Sequence, residues 1–182
     1  ANTVKGIIRA TLSKSTSTTA NPEAAPAGEW TMEVAMWNAT HGFPSTDGFY
    51  QGRLVHGGSL GNPTTWVGSG SDSFENYAVG ALADQAIQYT ITSRQLNTIR
   101  WLVDLGQLFI GTEGAVFAAK GPGVDQPLGG DVIPFVRSQN APGTVKMLPV
   151  VIGTTAIYVQ ASGKRIVDLT YNFDDAAFRA LD

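Results

Sequence analysis

The chain has 182 residues, of which 43% are hydrophobic and 15% are charged, and a formal net charge of −3, so it is globular and intrinsic disorder is excluded. The absence of cysteine excludes disulfide bonds and thiolate metal sites, and the weakly acidic balance argues against tight nucleic-acid binding. No apolar run approaches the roughly 18 to 20 residues of a membrane-spanning helix, while 21 glycines and 9 prolines favour an all-β fold rich in turns.

The region before residue 38 contains two predicted strands joined by a linker. Residues 3–13 form the first strand, and residues 13–29, rich in Ser, Thr, Ala and Pro, form an exposed loop or linker. Residues 29–37 alternate apolar and polar side chains, which is typical of a strand with one solvated face. Because the chain begins with Ala1 and not with Met, we expect it to derive from a longer protein.

Three β-hairpins of similar pattern are predicted, at residues 53–69, 107–120 and 156–171. In the central hairpin we expect Gly111 and Gly114 to supply the positive φ that a tight turn needs. Further strands are predicted between the hairpins, among them residues 86–93 and 97–105.

The spacing of the hairpins indicates a repeat. Leu54, Phe109 and Tyr158 are the apolar centres of the three leading strands and stand 55 and 49 residues apart, at the long end of the range for β-propeller blades. Four strands fit into each repeat, as in a propeller blade. We therefore predict an all-β fold, a partial β-propeller made of antiparallel hairpin blades. Three blades do not close a ring, so further chain or neighbouring subunits would have to complete it.

A short helix is predicted to start near the end of the chain. Asp174 or Asp175 would cap it, and Phe178 and Leu181 would share a face. A helix of about two turns is marginal in water. We therefore expect the native protein to continue past Asp182.

Residues 57–61 spell G-x-S-x-G, with Ser59 at the centre and His56 just before, which is the lettering of a hydrolase nucleophile elbow. That elbow requires a strand, a sharp turn and a helix, whereas Asn62 and Pro63 lead here into a β-branched stretch. A hairpin loop is therefore favoured over an esterase site.

Acidic and histidine side chains offer two weaker site hypotheses. His41 and His56 are the two histidines and lack metal-ligand spacing, so a zinc site would need distant carboxylates. Four carboxylates could form the acid and base pair of a glycosidase if the fold brought two of them together; they are Glu113, Asp168, Asp174 and Asp175. Solvated positions are the favoured interpretation for the carboxylates, and surface or satisfied core positions are favoured for the histidines.

The remaining candidate features have ordinary structural interpretations. Residues 68–71, Gly-Ser-Gly-Ser, lack the lysine of a phosphate loop, and Lys164 with Arg165 is most simply a solvated hairpin tip. Residues 38–40 fit a glycosylation sequon, a pattern that is frequent by chance. The four tryptophans could stack on sugars but are expected mainly in the core; they are Trp30, Trp37, Trp66 and Trp101. We predict no catalytic, cofactor-binding or metal-ligating residue, and no cofactor.

Residues 29–182 resemble the bacteriophage tail nozzle or hub proteins, also called tail tubular proteins. The resemblance rests on a Gly-x-Pro turn, an aromatic residue, Gln-x-Arg-Leu, a small-residue turn, a proline, a tryptophan strand and a phenylalanine in the next loop. These places are filled by Gly42, Pro44, Phe49, Gln51, Arg53, Leu54, Gly57, Pro63, Trp66 and Phe74. Later landmarks are residues 97–102, 108–112 and 165–173. One departure is Val67-Gly68, where Trp-x-Ser is expected.

The resemblance implies a non-enzymatic structural protein of the virion tail. Such a protein would form a homo-oligomeric ring, usually of six copies, below the portal and adaptor, and would contact tail fibres or other tail proteins. The ring would line the channel through which DNA passes without being specifically bound. In this interpretation residues 1–28 end a preceding small β-domain with its linker, and residues 29–182 are propeller blades of a larger tail protein.

Two other functions remain open. A carbohydrate- or receptor-binding propeller would repeat exposed tryptophans at equivalent blade positions, and a glycoside hydrolase on a propeller scaffold would place a close carboxylate pair in a central pocket. The positions that repeat are packing residues, Val55, Ile110 and Val159 at one strand position. This favours a scaffold.

Overall fold

The computed structural model describes residues 37–93, 97–122, 126–132, 134–172 and 177–181. These residues all belong to one compact unit, 35–182. The predicted strand at residues 3–13, the linker that follows it, nearly all of the predicted strand at residues 29–37 and the 1–28 domain assignment lie outside the described residues.

The described residues form twelve strands in three four-stranded antiparallel sheets. Sheet 1 contains β1 (Thr46–Tyr50), β2 (Arg53–Gly57), β3 (Thr65–Gly68) and β4 (Ile87–Thr90). Sheet 2 contains β5 (Ile99–Asp104), β6 (Leu108–Thr112), β7 (Ala115–Lys120) and β8 (Phe135–Pro142). Sheet 3 contains β9 (Val150–Ile152), β10 (Thr155–Val159), β11 (Ile166–Asn172) and β12 (Ala177–Leu181). Each sheet is a meander in which consecutive strands are neighbours.

The three predicted hairpins are confirmed, and each forms the central strand pair of its sheet. They are β2 with β3, β6 with β7, and β10 with β11. The expectation of two further strands between successive hairpins is also confirmed, by β4 and β5 and then by β8 and β9. The four-strand repeat read from the sequence is therefore the unit of the fold.

Two hydrophobic layers separate the three sheets. The first lies between sheets 1 and 2 and includes Val55 and Trp66 from one side and Leu108 and Ile110 from the other. The second lies between sheets 2 and 3. Its members from sheet 2 are Trp101, Phe109, Val116, Ala118 and Ala141, and those from sheet 3 are Ala156, Tyr158, Val167 and Leu169. Because sheet 2 is covered on both faces, every residue of β6 is buried.

A β-bulge in β5 sorts its side chains between the two layers. The pairing with β6 shifts between Ile99 and Trp101. Strict alternation would place Ile99 and Leu102 on opposite faces, and the extra residue at the bulge brings both into the first layer. Trp101 then points into the second layer.

The sheets approach one another at different strands. Sheets 1 and 2 come closest at their first strands, β1 and β5, whereas sheets 2 and 3 come closest at their fourth strands, β8 and β12. Over the described residues the three sheets form no closed barrel or propeller.

The predicted C-terminal helix is wrong for residues 177–181. This segment is β12, which pairs with β11 from Asp168↔Leu181 to Asn172↔Ala177. A helix of so few residues gains little from local hydrogen bonds, whereas the free edge of β11 offers a full ladder of them. The proposed caps Asp174 and Asp175 lie outside the described residues.

The prediction of positive φ at Gly111 and Gly114 is also wrong, because neither residue is among the glycines with positive φ. The side chain of Thr112 closes the β6–β7 turn: its Oγ1 donates to the carbonyl of Ala115 at 2.6 Å and accepts from the amide of Ala115 at 3.1 Å. Both glycines are needed for space. A Cβ on Gly111 would lie 2.0 Å from the indole of Trp101, and one on Gly114 would lie 2.3 Å from Oδ1 of Asn97.

Candidate functional site

An aromatic cluster packs on part of the outward face of sheet 1. The ring of His56, on β2, lies edge-on to Trp37 with centroids 5.1 Å apart, and Tyr77 contacts both rings at 5.1 and 5.6 Å. A cavity of about 10 Å³ beside Trp37 and His56 is also lined by Ser59 and Gln88. That volume accommodates roughly one water molecule. It is too small for a sugar ring.

Burial controls the protonation of this cluster. It lowers the pKa of His56, although Asp47, its cross-strand partner on β1, acts in the opposite direction. Burial also raises the pKa of the Tyr77 phenol. At neutral pH the cluster therefore presents a neutral imidazole and a protonated phenol.

Ser59 is placed in a hairpin loop, as predicted, and not on a strand-to-helix turn. It lies in the loop that connects β2 to β3, and its side chain is buried. Its Oγ accepts a hydrogen bond from the amide of Asn62 at 3.2 Å. This local contact fixes the loop. Ser59 and His56 line the same small cavity. A nucleophile elbow requires a helix after the serine, whereas the next element after Ser59 is the strand β3.

Of the four candidate carboxylates, the structure describes Glu113 and Asp168, and these two are held apart. Glu113, in the β6–β7 turn, forms an ion pair with Arg100. Asp168, on β11, accepts a hydrogen bond from Thr170, and its strand neighbours are buried in the second layer, so its side chain lies on the outward face of sheet 3. Glu113 and Asp168 thus do not form an acid and base pair.

The two histidines occupy separate places. His41 lies in an exposed turn where its Nδ1 is 3.0 Å from Nδ2 of Asn38, and the Oδ1 of Asn38 accepts from the amides of Thr40 and His41 at 2.8 Å. The sequon asparagine therefore caps its own turn. No three His, Asp or Glu side chains within the described ranges are placed to share a metal ion.

Two of the four tryptophans lie in the core, as expected. Trp66 and Trp101 are both fully buried, and Nε1 of Trp101 donates to Oγ1 of Thr144 at 2.9 Å. Trp37 is half-buried in the aromatic cluster. Trp30 lies outside the described residues. Lys164 and Arg165 lie in the exposed β10–β11 turn, which confirms the hairpin-tip prediction.

A buried arginine joins sheet 1 to the loop that follows β3. Arg53 on β2 is 2% exposed. Its Nη1 donates to the carbonyls of Ser69 at 2.6 Å and Gln85 at 2.7 Å, and its Nη2 donates to the carbonyl of Ala83. Burial lowers its pKa, and the acidic side chains of Asp84 and Asp131 oppose that shift. The charged guanidinium thus fixes the 69–86 loop through three carbonyl oxygens.

Gln51 makes a second long-range tether, at the β1–β2 turn. Its backbone has φ 48° and that of Gly52 has φ 68°, the left-handed pair of a type I′ hairpin turn. The Oε1 of Gln51 accepts a hydrogen bond from the amide of Leu128 at 2.9 Å. In the Gln-x-Arg-Leu pattern, both polar side chains therefore hold distant loops in place.

Large exposed apolar side chains occur in two groups, at the two ends of the stack of sheets. The group from sheet 1 and its loops is Phe43, Phe49, Leu60, Phe74, Val79 and Leu82. The group from sheet 3 and the segment before it is Met147, Leu148, Val150, Val151, Ile152 and Ile166. Between residues 83 and 146 the described residues contribute none. Sequence reasoning missed both groups, since a strand pattern does not tell which faces become covered.

Comparison with models of protein families and with curated protein sequences gave no match. Within the part of the chain that the structure describes, there is no helix of the length and apolar character needed to cross a membrane.

Proposed function

We propose that this chain is a structural, non-enzymatic part of a bacteriophage virion tail, a nozzle or hub protein that assembles as a homo-oligomeric ring below the portal and adaptor. The resemblance of residues 29–182 to those proteins suggests the function. The observation that supports it best is that the side chains on which the resemblance rests hold loops in place and pack between sheets.

Those side chains are structural. Arg53 binds three carbonyls of one loop and Gln51 binds the amide of another. Trp66 is fully buried in the first hydrophobic layer, and Phe74 contacts Phe49 with ring centroids 5.5 Å apart. Residues that fix loops and fill layers are what a rigid scaffold requires, and these residues belong to the pattern on which the resemblance rests.

In the finer fold that we propose, the three sheets are consecutive blades of a β-propeller. The support is that each sheet is a four-stranded meander and that consecutive sheets pack face to face. Further sheets, from additional chain or from neighbouring subunits, would complete the ring of blades.

The charge of the chain suits a DNA channel. With a net charge of −3 the protein offers little attraction to a polyanion, so DNA would pass without being held. We propose six copies in the ring, contacts with tail fibres or other tail proteins, and location in the virion tail after assembly in the host cytoplasm.

Immunogold electron microscopy of purified virions tests this function. Antibody raised against the 182-residue chain should label the tail below the head, and peptides of the chain should be detected in the tail fraction by mass spectrometry. Absence of the chain from virions would refute the proposal. Binding or cleavage of a glycan by the purified chain would instead favour the carbohydrate-binding or glycosidase alternatives.

A further inference from the structure

Sheet 3 presents an apolar surface with basic side chains around it. Val150 and Ile152 on β9 pair with Ile157 and Thr155 on β10. Ala156, which lies between Thr155 and Ile157, points into the second layer, so the four paired side chains lie on the opposite, outward face. Ile166 pairs with Val159 on the same face. Val150, Ile152 and Ile166 are 60%, 63% and 68% exposed. We call this face, with the exposed residues 146–148 and 164–165 near its edge, the basic surface.

The charges of the basic surface come from one end of sheet 3. Lys146 follows Thr144 and Val145, which pair with the end of β10 at Gln160 and Val159. Lys164 lies in the turn that follows the same end of β10. Both lysines are exposed. The carboxylate of Asp168, which pairs with Ile157, also faces outward here and accepts a hydrogen bond from Thr170. Because Lys146, Lys164 and Arg165 are all exposed, positive charge still exceeds negative charge on this part of the molecule.

Sheet 1 presents the opposite charge. Its strands and loops carry four exposed acidic side chains, Asp47, Asp72, Glu75 and Asp84. Phe49 and Phe74, 63% and 44% exposed, contact each other beside them. Residues 37–93 contain one lysine or arginine, Arg53, and its side chain is buried. We call the surface formed by these four carboxylates and two phenylalanines the acidic surface.

We propose that the basic surface of one copy docks on the acidic surface of a second copy. Each surface is apolar enough to lose water on contact, and their charges are complementary, which favours this pairing and disfavours like against like. Because the two surfaces differ, the contact is heterologous and repeats from copy to copy, giving a ring when the rotation closes. This inference rests on the proposed ring and names its interface.

Sedimentation velocity of the 182-residue chain over a concentration series tests the interface. We expect self-association of the native chain. The dissociation constant should rise at least about tenfold in V150T/I152T, which alters the basic surface, and in F49T/F74T, which alters the acidic surface. K146S/K164S should have a similar effect, and its effect should shrink at high salt. Thermal unfolding checks that each variant is folded.

A matched control and a mixture complete the test. T92E/S138E changes the net charge by −2, as K146S/K164S does, at exposed positions outside both surfaces, and should leave association unchanged. V150T/I152T retains the acidic surface and F49T/F74T retains the basic one, so an equimolar mixture should form one-to-one complexes at concentrations where each alone is monomeric. Failure of the mixture to associate, a monomeric native chain at several hundred micromolar, or assembly insensitive to all three variants would each overturn the interface. Localisation of the chain in the virion tail is an independent result.

Discussion

The indole of Trp101 lies directly over Gly111, so that a Cβ at position 111 would be 2.0 Å from Cε2 and 2.4 Å from Cδ2 of the ring. The ring is held by its hydrogen bond to Thr144 and by Tyr158, whose ring centroid is 5.7 Å away. The two residues therefore act as one packing unit in the layer that joins sheets 2 and 3.

The first prediction concerns this unit. Gly111→Ala should destabilise the protein by about 3 kcal/mol or more, because a buried, hydrogen-bonded indole would have to move. Chemical denaturation measures the change. Gly68→Ala is the matched control: Gly68 is also a buried strand glycine, but its nearest neighbour to an added Cβ is 3.4 Å away, so we expect a change within about 1 kcal/mol. Equal effects of the two substitutions would show that the contact with Trp101 is unimportant.

The second prediction concerns Arg53. Arg53→Met should cost about 3 to 5 kcal/mol, because it leaves three carbonyl oxygens without their charged donor. The loop at residues 69–86 should also become sensitive to chymotrypsin at Phe74 and Tyr77 before the protein unfolds globally.

Arg100→Met is the control for removal of a guanidinium. Arg100 pairs with Glu113, and the two side chains are 26% and 46% exposed. A partly solvated pair of this kind contributes about 0 to 1 kcal/mol. If Arg53→Met left chymotrypsin cleavage unchanged, the arginine would not be what holds the loop.

The third prediction concerns Gln51. Gln51→Leu removes the acceptor for the amide of Leu128, and we expect a loss of about 1 to 2 kcal/mol. Gln51→Glu keeps an oxygen acceptor and should retain most of the stability. Hydrogen exchange of the Leu128 amide is the direct measurement: protection should fall in the leucine variant and persist in the glutamate variant. Unchanged protection in both would exclude this tether.

The strands could be predicted from the sequence because their pattern is local. Each hairpin carries its own alternation of apolar residues and its own turn, so the pairs β2–β3, β6–β7 and β10–β11 were predictable. The C-terminal segment was not, since the choice between a short helix and β12 depends on the free edge of β11, whose contribution no local pattern contains.

The long-range tethers and the outward surfaces were beyond sequence reasoning for a different reason. Arg53 binds carbonyl oxygens 30 and 32 positions away, and backbone oxygens have no signature in the amino-acid sequence. The apolar run at residues 147–152 is visible in the sequence, but whether such a run is buried or exposed depends on which sheet covers it. Of the three predicted packing positions, Val55 and Ile110 are buried, whereas Val159 lies on the outward face of sheet 3, where the described residues place no fourth sheet.

The last prediction concerns the pH dependence of stability through His56. Burial holds its pKa below the ordinary value near 6.5, so the unfolded chain binds this proton at a higher pH than the folded chain does. The free energy of unfolding therefore has its full value with respect to His56 above about pH 6.5, where the imidazole is neutral in both states. It decreases as the pH falls toward and through the pKa of His56 in the folded protein.

His56→Gln should remove this part of the acid-induced loss, and Asp47→Asn should enlarge it, because the Asp47 carboxylate raises the pKa of His56. NMR titration of the imidazole protons gives the folded pKa directly, and denaturant unfolding between about pH 5 and 8 gives the stability. A folded pKa at or above that of the unfolded chain would reverse the sign and contradict the prediction. A pKa lowered further in Asp47→Asn would identify the cross-strand carboxylate as the group that opposes desolvation.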